Sequence, residues 1–291
     1  MLEAFHSNWT KPFFSYGGSD KEYFIDDFEV LTTMLSALQW RKNNGGIKMY
    51  TDLRGKLYYE ELGISHIWNL GIETILDGID EQIDPFLFWA AGKIYSLKNA
   101  NTPCVMMDTD FIVWNKLEMN KDGIYVIHTE DLNSSVYPDK AYFDMDENYH
   151  FEDEWSWTER PCNTAFLYIK DDKFKKYYTD KSIEFMKNCL SGKDTIANMV
   201  FAEQRLLSMC ARQKNILINS LMELTPYGIL QNNFTHIWGY KRELRKDEVK
   251  RKKFCIDCIK RIIYDFPEEE STIFNIKMMQ KYYKEIKKID K

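Results

Sequence analysis

The stretch VMMDTDF, residues 105–111, ends an apolar run in two acids one residue apart, Asp108 and Asp110. Carboxylates this close repel unless a cation or a raised pKa removes the conflict. A divalent metal is the simplest cation, and oxygen ligands suit Mn²⁺ or Mg²⁺, which keep positions open for substrate phosphates. An exposed Asp-Thr-Asp turn is the plainer alternative; the apolar run before the pair favours the metal. In open α/β sheets ligands bind beyond the carboxyl ends of the strands, where Asp108 falls.

Glu203 is the next anomaly. Ile196, Met199, Val200, Leu206, Leu207 and Cys210 mark one face of an expected helix, and Glu203 lies on that face by spacing. A carboxylate on an apolar stripe needs a partner, such as an arginine at the core edge, or a chemical purpose. The segment FEDEWSWTERPC, residues 151–162, is rich in acids and indoles. Rings can cover apolar sugar faces and carboxylates can accept from hydroxyls, so Trp155 and Trp157 are candidate acceptor contacts. A packed loop would look the same.

These residues need a frame. Strands are expected at residues 2–6, 47–52 and 103–108. The intervening helices cover 20–42, with Ser19 and Glu22 as a capping box, a stretch from Asp52 to a break near Gly63, and one opening at Asp84-Pro85. Phe24, Phe28, Leu31, Leu35 and Leu38 form the first helix's apolar stripe; Leu87, Ala90, Ile94 and Leu97 form the last one's. Alternating strands and helices predict a mainly parallel sheet covered on both faces. Past Asp110, FIVW, IYVIHT and TAFLYI follow without helices between them, which predicts an antiparallel section. Helices resume over 172–190 and 195–212, strands at ILINS and FTHIW come last, and residues 243–291 read as a charged helical extension of a domain spanning 1–242.

The acid pair resembles the DxD motif of nucleotide-sugar glycosyltransferases of the GT-A type. HIWGYK, residues 236–241, resembles the late His-x-x-Gly…Lys motif of the retaining family that includes glycogenin and bacterial lipooligosaccharide galactosyltransferases. FHSNWTKPF is similar to the opening of bacterial capsule and surface-polysaccharide transferases, and NTAFLYI to the Asn-Thr-Gly strand of many GT-A enzymes, with Ala165 in place of the glycine. The resemblance implies a GT-A-like α/β fold and a metal site of Asp108, Asp110 and His236. Lys241 and Asp108 would meet the diphosphate, and Ser7, Trp9, Thr10 and Lys11 the rest of the nucleotide. Asn163 would contact substrate, with Glu203 and Gln204 beside the reacting sugar. There Glu203 would deprotonate the acceptor in an inverting enzyme; in a retaining one, Glu203 or Gln204 would orient the donor. A UDP-linked donor and a glycan or lipid-linked acceptor follow. Standing alone, His236 is an ordinary strand histidine. Two other readings are a haloacid-dehalogenase-like phosphatase, which would want Gly-Thr where Phe111 and Ile112 stand, and a non-catalytic sugar-nucleotide binder.

The bulk numbers narrow the field. The 291 residues carry 39 basic and 45 acidic side chains, a net charge of −6 that does not point to nucleic acid. No apolar run has the length of a membrane span and the N-terminus lacks a signal-peptide pattern, so the chain is read as cytoplasmic. Lys250, Arg251, Lys252 and Lys253 leave peripheral contact with anionic lipid headgroups open; a solvated helix face is the simpler reading. The six cysteines read as small core residues, Cys255 and Cys258 included, because a zinc site needs four ligands.

Overall fold

The computed structural model describes residues 2–17, 21–192, 195–222 and 233–289. In chain order the first half runs β1 (Glu3–Asn8), α1 (Lys11–Gly17), α2 (Asp27–Asn43), β2 (Ile47–Thr51), α3 (Leu53–Glu61), β3 (Ile72–Glu73), α4 (Ala91–Asn99) and β4 (Cys104–Met107). Four strands follow: β5 (Phe111–Val113), β6 (Ile124–Val126), β7 (Asp144–Met145) and β8 (Phe166–Ile169). Then come α5 (Asp172–Asn188), β9 (Cys189–Ser191), α6 (Thr195–Val200), a π-helical turn (Phe201–Arg205), α7 (Leu206–Gln213), β10 (Ile218–Ser220) and β11 (Phe234–His236). Helices α8 (Tyr240–Lys246), α9 (Glu248–Asp265), α10 (Glu270–Asn275) and α11 (Gln280–Ile289) close the chain.

Among the described residues the main sheet has the order β10-β6-β8-β4-β1-β2-β3. All its pairings are parallel except those of β8, which runs antiparallel to both β4 and β6. This is the mixed, mainly parallel sheet that the alternation predicts, with the antiparallel section where helices stop separating strands. Strand β4 shows why its sequence is uniformly apolar. Val105 and Met107 enter the core on one face, Cys104 and Met106 the core on the other, so no position faces water. Helix α2 covers the first face; α4, α5, the π turn and α7 cover the second.

Three local expectations shift. Helix α2 starts at Asp27, not residue 20, and Phe24 is left exposed ahead of it; Ser19 and Asp20 lie outside the described residues. Asp84 does not open a helix. Its Oδ1 accepts from the Phe86 N–H and its carbonyl from the Phe88 N–H, closing a turn that ends before α4 starts at Ala91. The 195–212 helix is interrupted by the π turn.

Residues beyond 242 join the core at the same face as α2. Cys255, Cys258, Ile259 and Ile262 of α9 share a cluster with Leu31 and Leu35. Asp27 anchors that contact: Arg251 Nε stands 2.6 Å from it, Lys281 Nζ 2.7 Å, and the Tyr282 hydroxyl donates at 2.7 Å. Burial would raise the pKa of Asp27, but these three partners bring it down to about 2. The basic cluster is engaged within the fold. Lys250 pairs with Glu243, Arg251 with Asp26 and Asp27, Lys252 with Glu285 and Lys253 with Asp257. All six cysteines are buried, and none forms a disulfide. Among the described residues no helix is long and apolar enough to cross a membrane.

Candidate metal and substrate site

Strand β4 ends at Met107, and the chain turns at once. The Asp108 N–H donates to the Ala165 carbonyl at 2.8 Å, and the Phe111 N–H donates back to the Asp108 carbonyl at 3.0 Å. That turn faces both carboxyl groups of the pair toward β11, which lies antiparallel to β5 with His236 opposite Phe111. Pairing thus brings a histidine from far down the chain to the two acids. His236 Nε2 lies 3.9 Å from Asp108 Oδ2 and 3.8 Å from Asp110 Oδ2, and one donor atom from each residue fits within 4.8 Å of the others.

A small hard cation with bonds of about 2.1 Å sets its ligands roughly 3 to 4.2 Å apart, a range that holds both distances from His236. Asp110 adds a second indication. Its Oδ2 is buried and has no hydrogen-bond partner of proper geometry, although Lys241 Nζ forms an ion pair with it at 3.0 Å. Burial lowers the pKa of His236, against the pull of Asp110 and Asp108, which favours the neutral imidazole that a metal needs. Burial alone would raise Asp108; Lys93 and then His236 hold it below the usual carboxylate range.

Lys93 is the residue that sequence reading missed. Its ammonium lies 2.7 Å from Asp108 Oδ1, pairs closely with Glu203 Oε1 and donates to the Thr164 carbonyl at 3.2 Å. Burial opposes the charge, but the two carboxylates outweigh it and raise the pKa of Lys93. The Thr164 hydroxyl completes the set by donating to Glu203 Oε1 at 2.7 Å. Glu203 therefore has a lysine as partner rather than an arginine, and that lysine ties it to the acid pair. A signal was present. Lys93 falls three residues after Ala90 and four before Leu97, on the apolar stripe of α4, the same kind of anomaly that singles out Glu203.

A chain of hydrogen bonds fixes the backbone next to Asp110. Trp68 Nε1–H can only donate, and it meets His6 Nδ1 at 3.2 Å. Burial pushes His6 down to about 3, so the ring is neutral and Nε2 carries its proton. That N–H donates to Ser36 Oγ at 2.9 Å, and the Ser36 hydroxyl donates to the Phe111 carbonyl at 2.5 Å. Phe111 itself packs against Phe166, Phe234 and His236. Sequence spacing does not disclose this relay, because its members come from β1, α2, β5 and a loop.

The other expected residues divide into two groups. Lys241 joins the site through Asp110 and also stands 3.6 Å from Glu29. Ser7 lies on β1, where its hydroxyl is hydrogen-bonded to that of Ser96 at 2.9 Å. Thr10 is buried and gives both its N–H and its hydroxyl to Asp52 Oδ2 at 2.8 Å. Lys11 is exposed at the start of α1. Trp9 is 7% exposed, so its ring is packed rather than open to a base. Trp155 is likewise in the core, with its indole N–H on Gln213 at 3.2 Å. Trp157 stacks on Phe201 with ring centroids 5.4 Å apart and lies under the Arg205 guanidinium. Aromatic loops pack indoles inward as readily as they expose them, and composition does not distinguish the two. Gln204 and Asn163 converge through shared partners: Tyr137 Oη is 2.6 Å from Gln204 Oε1 and from Glu130 Oε2, while Asn163 Nδ2 donates to Glu130 Oε1 at 3.0 Å.

Comparison with known proteins adds a family but no activity. No curated protein matches the chain. A solved structure, the PaToxG glycosyltransferase, matches at 11% identity with a TM-score of 0.41, over 73% of this chain and 69% of that one. A likeness at that level carries nothing about chemistry. The family match spans residues 4–276 and so includes the acid pair, Lys93, Glu203, His236 and most of the C-terminal helices: the chain belongs to DUF6734, a family of unknown function.

Proposed function

We propose that this chain is a metal-dependent glycosyltransferase that takes a sugar from a nucleotide-diphosphate donor, with UDP as the nucleotide, and passes it to a hydroxyl of a glycan or lipid-linked acceptor. The observation that carries the reading is the convergence of Asp108, Asp110 and His236 beyond the end of β4, with a lysine on either side of the acid pair. Mn²⁺ or Mg²⁺ would be held by those three side chains and would supply charge neutralisation for the departing diphosphate.

The remaining roles belong to the protein's own groups. Lys241 adds positive charge beside Asp110, where a diphosphate would lie. Lys93 fixes the Asp108 carboxylate from the opposite side and couples it to Glu203. Because Glu203 Oε1 is already engaged by Thr164 and Lys93, Glu203 suits orienting a donor sugar better than removing an acceptor proton. Ser7 and Lys11 are carried forward as nucleotide contacts at the end of β1.

The test is thermal shift against a nucleotide panel with and without Mn²⁺. UDP should stabilise the protein only when Mn²⁺ is present, by about 2.7 kcal/mol at a hundredfold excess over Kd. Asp110→Ala should abolish the metal-dependent part. Absence of any nucleotide response would sink the reading, and a trapped phosphoenzyme at Asp108 would replace it with phosphoryl hydrolysis.

A further inference from the structure

A cavity of about 820 Å³ borders the candidate metal site through His236, which belongs to both. Its described lining includes Glu130, Asp131, Tyr137, Asn163 and Trp238, and contains no lysine or arginine. We infer that this cavity is a carbohydrate subsite for an uncharged or amino-bearing sugar, with the Trp238 ring as its platform and the Glu130 carboxylate as the group that orients sugar hydroxyls. The inference rests on the proposed transferase reading, in which the cavity is the acceptor side.

Three observations carry it. Trp238 is 76% exposed, an unusual state for an indole, and Tyr240 beside it is 39% exposed. An aromatic face open to water at a cavity rim suits the apolar face of a pyranose ring. These are the available aromatic faces, whereas Trp155 and the stacked Trp157 are committed to packing.

Second, Glu130 is oriented in advance. Tyr137 Oη and Asn163 Nδ2 each meet one of its oxygens, at 2.6 and 3.0 Å. The Tyr137 hydroxyl has one hydrogen but two oxygen neighbours, Glu130 Oε2 and Gln204 Oε1. It donates to the carboxylate, and the Gln204 amide, with its NH₂ turned toward the hydroxyl, donates to it. Gln204 is thereby a positioning residue for Glu130. A carboxylate held by two donors retains lone pairs for further hydroxyls, as sugar recognition requires.

Third, the charge selects. Both side-chain donors to the Glu130 carboxylate are neutral, and Asp131 adds a second acid, paired with Arg160 at 3.0 Å. A uronate or sialate entering this cavity would meet like charge with no lysine or arginine in the described lining, whereas a neutral or amino sugar would not.

The test uses the full-length protein without nucleotide or metal. Binding of three trisaccharide probes is measured by saturation-transfer NMR and calorimetry: cellotriose, the glucosamine trimer and trigalacturonate. Cellotriose or the glucosamine trimer should bind, and trigalacturonate should not. Trp238→Ala should weaken binding about tenfold, with Trp238→Phe recovering part of the loss. Glu130→Gln should admit trigalacturonate. No binding of either favoured probe, trigalacturonate binding as tightly as they do, or Trp238→Ala within twofold of wild type would overturn the inference. The UDP and Mn²⁺ thermal shift, run on the same samples, separates the two claims. A normal shift without sugar binding refutes the subsite alone, and sugar binding without any shift refutes the transferase reading while leaving a sugar site.

Discussion

Lowering the pH from 7 to 5 should remove a defined amount of stability through His6. In the unfolded chain this histidine has its ordinary pKa of 6.5; in the fold, burial pushes it down to about 3. Between those values the unfolded chain binds the proton and the folded chain does not. Stability therefore rises with pH across that window, is complete above 6.5, and is lost as pH falls toward 3. Each unit within the window is worth about 1.4 kcal/mol, so moving from pH 6.5 to 5 costs roughly 2 kcal/mol. The relay explains why no proton is taken up in the fold: Nδ1 accepts from Trp68 and Nε2 already donates to Ser36. The assay is urea denaturation at pH 5, 6 and 7 on wild type and His6→Gln, whose amide can still donate to Ser36. Carboxylates also respond to acid, so the informative quantity is the difference. Wild type should lose about 2 kcal/mol more than the variant between pH 7 and 5. Parallel losses would refute the neutral relay.

Other perturbations test other contacts. Lys93→Met leaves Asp108 and Glu203 without their shared ammonium; it should cost roughly 2–4 kcal/mol, below the usual cost for a fully buried pair because the Asp108 side chain is 30% exposed. Mn²⁺ should then raise the Tm of that variant more than that of wild type, and an equal or smaller rise would count against a shared cation site. Asp27→Asn should cost roughly 2 kcal/mol at pH 7. The Asp27 pKa is about 2 in the fold and 3.8 otherwise, so its contribution is full above 3.8 and fades as pH falls toward 2. Urea melts of the two proteins should therefore converge at low pH, and a constant gap would reject Asp27 as the ionic anchor of the C-terminal helices. Gly92→Ala should destabilise by about 1–3 kcal/mol, since an added Cβ would come within 2.8 Å of Trp9 Cβ and 3.1 Å of Leu76 Cδ1; an unchanged melting temperature would contradict that packing.

What could be read from sequence follows from the range of each signal. The acid pair is legible because both members sit at the end of one strand, and strand periodicity and burial are local properties. Glu203 was legible for the same reason, and Lys93 could have been, since a charge on a 3.6-residue stripe is visible without a fold. The mixed sheet also showed itself, through the presence and then absence of helices between strands. His236 is different: residue type alone leaves it an ordinary strand histidine, and only the β5–β11 register brings it to Asp108 and Asp110. The same is true of the partner of Glu203, the His6–Ser36–Phe111 relay and the docking of α9 on α2 through Asp27. Tryptophan exposure was decided at this level too. Trp155 lies between Glu154 and Ser156 and Trp238 between Ile237 and Gly239, yet the first is 4% exposed and the second 76%. Periodicity reports which face of an element is apolar; what that face, or a loop, packs against is set by contacts between distant segments, which the chain acquires only when the whole core closes.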